Sequence, residues 1–177
     1  MKERMKNFLC IMIILITANS VFAEESARYA HMKQGFEYID TAQYRSALHV
    51  FKKVLEANPE NAEAHYGLGI CYLMLGDTKT ITIPQLVQES IYSFKKALNF
   101  GATHPEIYYF LGLCYLALHD ETLALKQYDV LEGLNRYLAD QLLNKIIEYE
   151  TLHEKTLIQE KATPSHEKNQ DIIYLCR

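Results

Sequence analysis

The sequence predicts an all-α protein built as a stack of three helix pairs closed by a further helix, and three observations carry that reading. A set of small and aromatic residues recurs: Gly35, Tyr38, Ala47 and Phe51 return as Gly69, Tyr72, Ser90 and Phe94, and again as Gly112, Tyr115, Ala124 and Tyr128. The step is 34 residues from Gly35 to Gly69 and from Phe94 to Tyr128, but 43 from Gly69 to Gly112, which places nine extra residues between Tyr72 and Ser90. Each unit also shows two runs of helical spacing. A period of this size marks stacked repeats, in which no single unit can bury its apolar face alone.

The first run of a unit is carried by Leu68, Gly69 and Tyr72, or Leu111, Gly112 and Tyr115, which lie on one helical face. The second is carried by Ala47, Phe51 and Val54, by Ser90, Phe94 and Ala97, and by Ala124, Tyr128 and Leu131. Small residues let two backbones approach at a helix crossing, and the aromatic of the partner helix fills the space beside them. On this logic Gly112 is expected against the second helix of its own unit. The boundaries agree. Asn58-Pro59 stops a helix, Gly76 and Gly101 suit left-handed C-caps, Asn61 and Asp120 suit N-caps, and Pro84 and Pro105 fit first turns.

At these residues the chain resembles the tetratricopeptide repeat family, whose pattern is Leu-Gly, Tyr, Ala, an aromatic, Ala and Pro within one unit. The first unit carries Gly35, Tyr38, Tyr44, Ala47, Phe51 and Pro59, the second Leu68, Gly69, Tyr72, Gly76, Phe94 and Ala97, and the third Leu111, Gly112, Tyr115, Ala124 and Tyr128. His31, His65 and Tyr108 stand where the family often has an aromatic near the start of a unit, Ala102 and Arg136 replace the closing proline, and Val54 and Leu131 replace a small residue. The resemblance covers residues 28–138. It implies a right-handed α-solenoid of three helix-turn-helix repeats, at about 28–61, 62–104 with an insertion at 77–85, and 105–138, that binds proteins or peptides in a concave groove.

Residues 1–23 form a separate segment. A basic start, Met1 to Lys6, precedes the apolar run Phe8–Ile16 and the small residues of Val21-Phe22-Ala23, the layout of a cleaved secretory signal peptide. Thr17, Asn19 and Ser20 interrupt the run too early for a membrane span. Cleavage would leave a chain starting at Glu24 in the bacterial periplasm or outside the cell. Lys2, Glu3, Arg4 and Lys6 would leave with the signal, so 15 basic and 21 acidic residues remain, a net charge of −6. That balance argues against a nucleic-acid footprint.

Cys71 and Cys114 occupy equivalent positions before Tyr72 and Tyr115 and are expected to be buried free thiols, because parallel neighbouring helices hold them too far apart for a bridge. Cys10 lies in the apolar run, and Cys176 has no obvious partner. His31 and His65 are likewise equivalent and read as packing residues. The sequence has no closely spaced Cys pair, no His-Glu-x-x-His, no Gly-x-Ser-x-Gly and no phosphate loop, so no cofactor, metal or catalytic site is expected.

The insertion Asp77–Ile83 replaces a tight turn. It is read as a surface loop, with Leu86 and Val87 extending the apolar face of the helix that Pro84 opens; an exposed strand-like finger at Thr80–Ile83 is the alternative. Beyond the third unit Leu138, Leu142, Leu143, Ile146, Tyr149 and Leu152 form an apolar stripe, expected as a capping helix over about 139–161. Residues 162–177 read as a flexible tail.

The candidate binding surface lies on the first helices, where Tyr29, Met32 and Phe36, then Tyr66 and Ile70, then Tyr109 and Leu113, form a second stripe beside the signature face. Stacking brings these into columns that suit an apolar or aromatic partner segment rather than an acidic tail, since Lys33 is almost alone as a cation there. The competing reading is that the stripe packs neighbouring units, since the first helices are nearly free of charge. The expected function is a non-enzymatic protein-protein interaction adaptor of the cell envelope. The alternative is an assembly protein that oligomerises through the insertion or the tail.

Overall fold

In a computed structural model of the chain, the described residues are 12, 26–75 and 83–162. They form seven helices and no strand: α1 over 26–40, α2 (Tyr44–Ala57), α3 (Ala62–Met74), α4 (Ile83–Asn99), α5 (Glu106–Ala117), α6 (Glu121–Leu134) and α7 (Arg136–Ala162). Consecutive helices pack on each other, and α3 touches α5 directly. The arrangement is an all-α helical repeat solenoid of three pairs, α1/α2, α3/α4 and α5/α6, with α7 packed on both α5 and α6. The expected signal peptide, most of the insertion and the tail lie outside the described residues.

Local chemistry explains the helix ends. The Asn61 side chain accepts the Ala64 N–H at 2.8 Å, and Asp120 accepts the Leu123 N–H at 3.0 Å, so α3 and α6 begin on side-chain caps. Gly101 takes φ +94 after α4, a conformation glycine adopts without a Cβ penalty. The turns inside the first and third pairs use the same left-handed region at Ala42 (φ 56) and His119 (φ 61). Both residues lie four positions after a signature tyrosine, Tyr38 and Tyr115, where the second unit carries Gly76.

The core follows the repeat. α3 buries Gly67 to Cys71 without a break, and α5 buries Leu111 to Leu116, because each is enclosed by helices before and after it. The outer helices bury one stripe each: Ala47, Val50, Phe51 and Val54 on α2, and Leu86, Val87, Ser90, Ser93, Phe94 and Ala97 on α4. The signature aromatics are slotted into glycines. A Cβ on Gly35 would lie 2.6 Å from the Phe51 ring, and one on Gly67 would run into the same ring from the next unit. Phe94 lies against Gly69 in the same way, with Phe110 stacked on its other face at 5.6 Å between centroids.

The third unit departs from the expected crossing. Gly112 faces Leu142 of α7, 2.6 Å from a hypothetical Cβ, rather than the second helix of its own unit. The reason lies in Tyr128, which stands where Phe51 and Phe94 stand but donates its hydroxyl to Glu132 at 2.9 Å on the surface of α6. The phenol can reach water and a carboxylate, so it leaves the slot to a leucine of the capping helix. α7 starts at Arg136, three residues earlier than expected, and buries Ala139, Leu142, Ile146 and Tyr149 while Leu152 stays exposed.

The two buried serines, Ser90 and Ser93, are both hydrogen-bonded. Ser90, which replaces the alanine of the other two units, donates to the Gly69 carbonyl at 2.8 Å and accepts from the Cys114 thiol at 3.5 Å. Cys71 and Cys114 are buried and unbridged. Burial pushes the Cys71 thiol up to about 12, against a smaller opposing backbone hydrogen bond, so it carries almost no reactive thiolate near neutral pH.

Candidate functional site

The residues of the expected groove all come from the first helices of the pairs. Tyr29 is 74% exposed at the start of α1, whereas Met32 and Phe36 are half-buried against the α2–α3 core. Tyr66 and Tyr109 are half-buried, while Ile70 (8% exposed) and Leu113 (5%) belong to the core. The stripe therefore divides by depth. Ile70 and Leu113 have little surface of their own, whereas Tyr29, Met32, Phe36, Tyr66 and Tyr109 keep part of theirs exposed.

Tyr66 is the most heavily engaged of these. Its ring lies 6.2 Å from Phe36 of the first unit, 6.2 Å from Phe94 of its own unit, and 4.7 Å from His104 in the segment leading to the third, the last contact nearly parallel. His104 in turn meets the Glu63 carboxylate at 2.8 Å. Burial, then the charges of Glu106 and Glu63, pushes the Tyr66 phenol up to about 12. The hydroxyl therefore stays protonated and available as a donor throughout the physiological range. Its surroundings are negative, with Glu63 and Glu106 on the first turns of α3 and α5. Along α1 the edge is mixed, with Lys33 3.7 Å from Glu37.

Sequence reasoning missed His104 and Phe110 as neighbours of this surface. His104 lies between elements, where no periodicity marks it. Phe110 leaves a trace, because it occupies the position of Gly67 one unit later and breaks the small-residue pattern.

The equivalent histidines do not share a role. His65 contacts the Pro59 carbonyl at 2.9 Å and stacks on Phe100 at 5.4 Å, whereas His31 lines an open cleft at the start of the stack. Between units, lysines cover the signature tyrosines: Lys52 lies over Tyr72 at 5.8 Å and Lys95 over Tyr115 at 5.9 Å. Where α7 meets the α5–α6 turn, the Tyr149 hydroxyl shares a 2.6 Å hydrogen bond with His119 Nδ1, and His153 stacks on the Tyr149 ring at 5.8 Å. Among the described residues no three His, Cys, Asp or Glu side chains cluster as a metal site. No described helix is long and apolar enough to cross a membrane.

Residues 38–79 match the family model of the tetratricopeptide repeat, a span that runs from the end of α1 through α2 and α3. At that span the chain carries a tetratricopeptide repeat. Compared with curated proteins it has no significant match. Tetratricopeptide units act as protein-protein interaction modules, and proteins built from them are in general non-catalytic adaptors. What the fold offers chemically is a surface of stacked side chains at repeat spacing.

Proposed function

We propose that this protein is a non-enzymatic adaptor of the cell envelope that holds an apolar or aromatic segment of a partner protein along its first helices. The observation that carries the reading is the ladder of half-buried side chains Phe36, Tyr66 and Tyr109 with the buried Ile70 and Leu113, contributed by all three pairs. Aromatic groups with one face packed and one face open supply contact area at low entropic cost, as binding surfaces require. The exposed ring of Tyr29 extends the ladder at the start of α1. A photoreactive phenylalanine analogue placed at Tyr29 or Tyr109 is expected to capture one common protein from envelope extract, whereas the same probe at Tyr92, exposed on α4, captures none of it. Equal capture from all three positions would contradict a groove.

Export belongs to the same proposal. It is supported by the basic start, the apolar run Phe8–Ile16 and Val21-Phe22-Ala23. N-terminal sequencing of protein recovered from the envelope fraction is expected to begin at Glu24. An intact Met1 in membranes would contradict cleavage.

A further inference from the structure

Among the described residues no helix packs on the outward face of α1, and that face is charged. In the second and third units the preceding unit closes over the outward face of the first helix: Leu68 (6% exposed), Leu111 (3%) and Tyr115 (6%) are buried there, and a lysine of the preceding second helix covers each signature tyrosine. No described element precedes α1. At the counterpart positions Gln34 stands exposed where Leu68 and Leu111 are buried, and Tyr38 lies in a cleft of about 520 Å³ between α1 and α2.

A polar outer face is expected of a terminal repeat, because it must stay soluble. Solubility accounts for Gln34 but not for the sign of the charge. Arg45, His49 and Lys53 run along α2 beside the cleft, His31 faces them from α1, and among the described residues no carboxylate lines it. None of the four has an ion-pair partner among the described residues. The chain as a whole carries net charge −4. Two cations, Arg45 and Lys53, with no ion pair among the described residues of an acidic protein attract an anionic partner.

The spacing says which kind. Arg45, His49 and Lys53 stand at i, i+4 and i+8, so they span about 12 Å along the helix axis. A phosphate or a single carboxylate reaches only one or two of them. A helix with carboxylates at the same four-residue spacing reaches all three, and its apolar side rests on Tyr38 and Val50 in the cleft floor. We infer that the outward end of the first repeat, between α1 and α2, binds an acidic amphipathic helix of a partner protein. The helix takes up the end position where, inside the stack, the second helix of a preceding unit packs. This site is separate from the first-helix ladder and does not depend on it.

The test uses the full chain and a fluorescein-labelled alanine- and leucine-rich helical peptide with Glu at every fourth position, beside a twin with Lys for Glu. At low salt the Glu peptide is expected to bind, with affinity falling as salt rises, and the Lys twin is not. Replacing both Arg45 and Lys53 by Gln is expected to weaken binding at least about tenfold without lowering the melting temperature, since both side chains are exposed. Tyr109→Ala is expected to leave it unchanged, which keeps this site distinguishable from the ladder. Equal binding of both peptides, no binding of the Glu peptide, or full binding by the double variant would overturn the inference. Displacement by millimolar inorganic phosphate would overturn it in favour of a small-anion site. Self-association of the wild-type chain, lost in the double variant, would overturn it in favour of a second copy.

Discussion

Phe51→Ala is expected to be the most damaging single substitution in the first half of the stack, lowering stability by about 3–5 kcal/mol. The ring is fully buried and is held on two sides by glycines of different units, Gly35 of α1 and Gly67 of α3. It also meets Phe36 edge-on at 5.1 Å. Its removal opens a cavity at the joint between units, and the surrounding helices cannot close over it without losing their own register. In a solenoid, stability is close to a sum of unit and interface terms, so damage at one joint uncouples what lies on either side. Urea unfolding followed by circular dichroism should show the loss, with the first unit melting ahead of the rest. A variant that unfolds like the parent would mean that Phe51 is not the pin between the units.

The second large effect is expected at the other end. Gly112→Leu should cost at least about 1–3 kcal/mol, because the added side chain competes with Leu142, which is 0% exposed in that slot. The same clash predicts the direction of a rescue. Leu142→Ala alone should destabilise by about 2–5 kcal/mol. Combined with Gly112→Leu, it should restore part of the loss, since the new leucine fills the vacated space. If Gly112 instead packed on its own second helix, the two substitutions would add. The double-mutant cycle therefore separates the observed crossing from the one the repeat pattern predicts.

Much of the fold was legible because repeats convert long-range packing into a short-range signal. The steps of 34 and 43 residues located the helix pairs, and caps such as Asn61, Asp120 and Gly101 are decided within one turn of chain. The failures are long-range choices. The pattern placed an aromatic beside Gly112, but it could not say that the Tyr128 phenol would turn outward to Glu132 and leave the slot to Leu142, fourteen residues further on. Nor could it distinguish the two equivalent histidines, because Phe100, which stacks on His65, has Ala57 as its counterpart in the first unit. At the candidate site the helices and the stripe were readable, but its depth was not. Ile70 and Leu113 lie on the same stripe as Tyr66 and Tyr109, yet they are turned into the core by the approach of α3 and α5 to each other.

Those depths set different roles within one ladder. Tyr66 joins the first unit to its own through Phe36, Phe94 and His104, so its contribution to stability is inseparable from any contact it makes with a partner. Tyr29 and Tyr109 are better reporters, the first because it is mostly exposed and the second because it stands on the last first helix of the stack.

The most direct measurement is therefore paired. For the protein captured by photo-crosslinking at the ladder, affinity is compared between the parent and a Tyr29→Ala, Tyr109→Ala double variant, with melting curves recorded on the same samples. The account predicts that binding falls at least about tenfold while the melting temperature shifts only slightly, as expected for a few contacts that dominate an interface. Unchanged binding, or a loss of binding that merely tracks a collapse in stability, would contradict the claim that these first helices form a partner-binding surface.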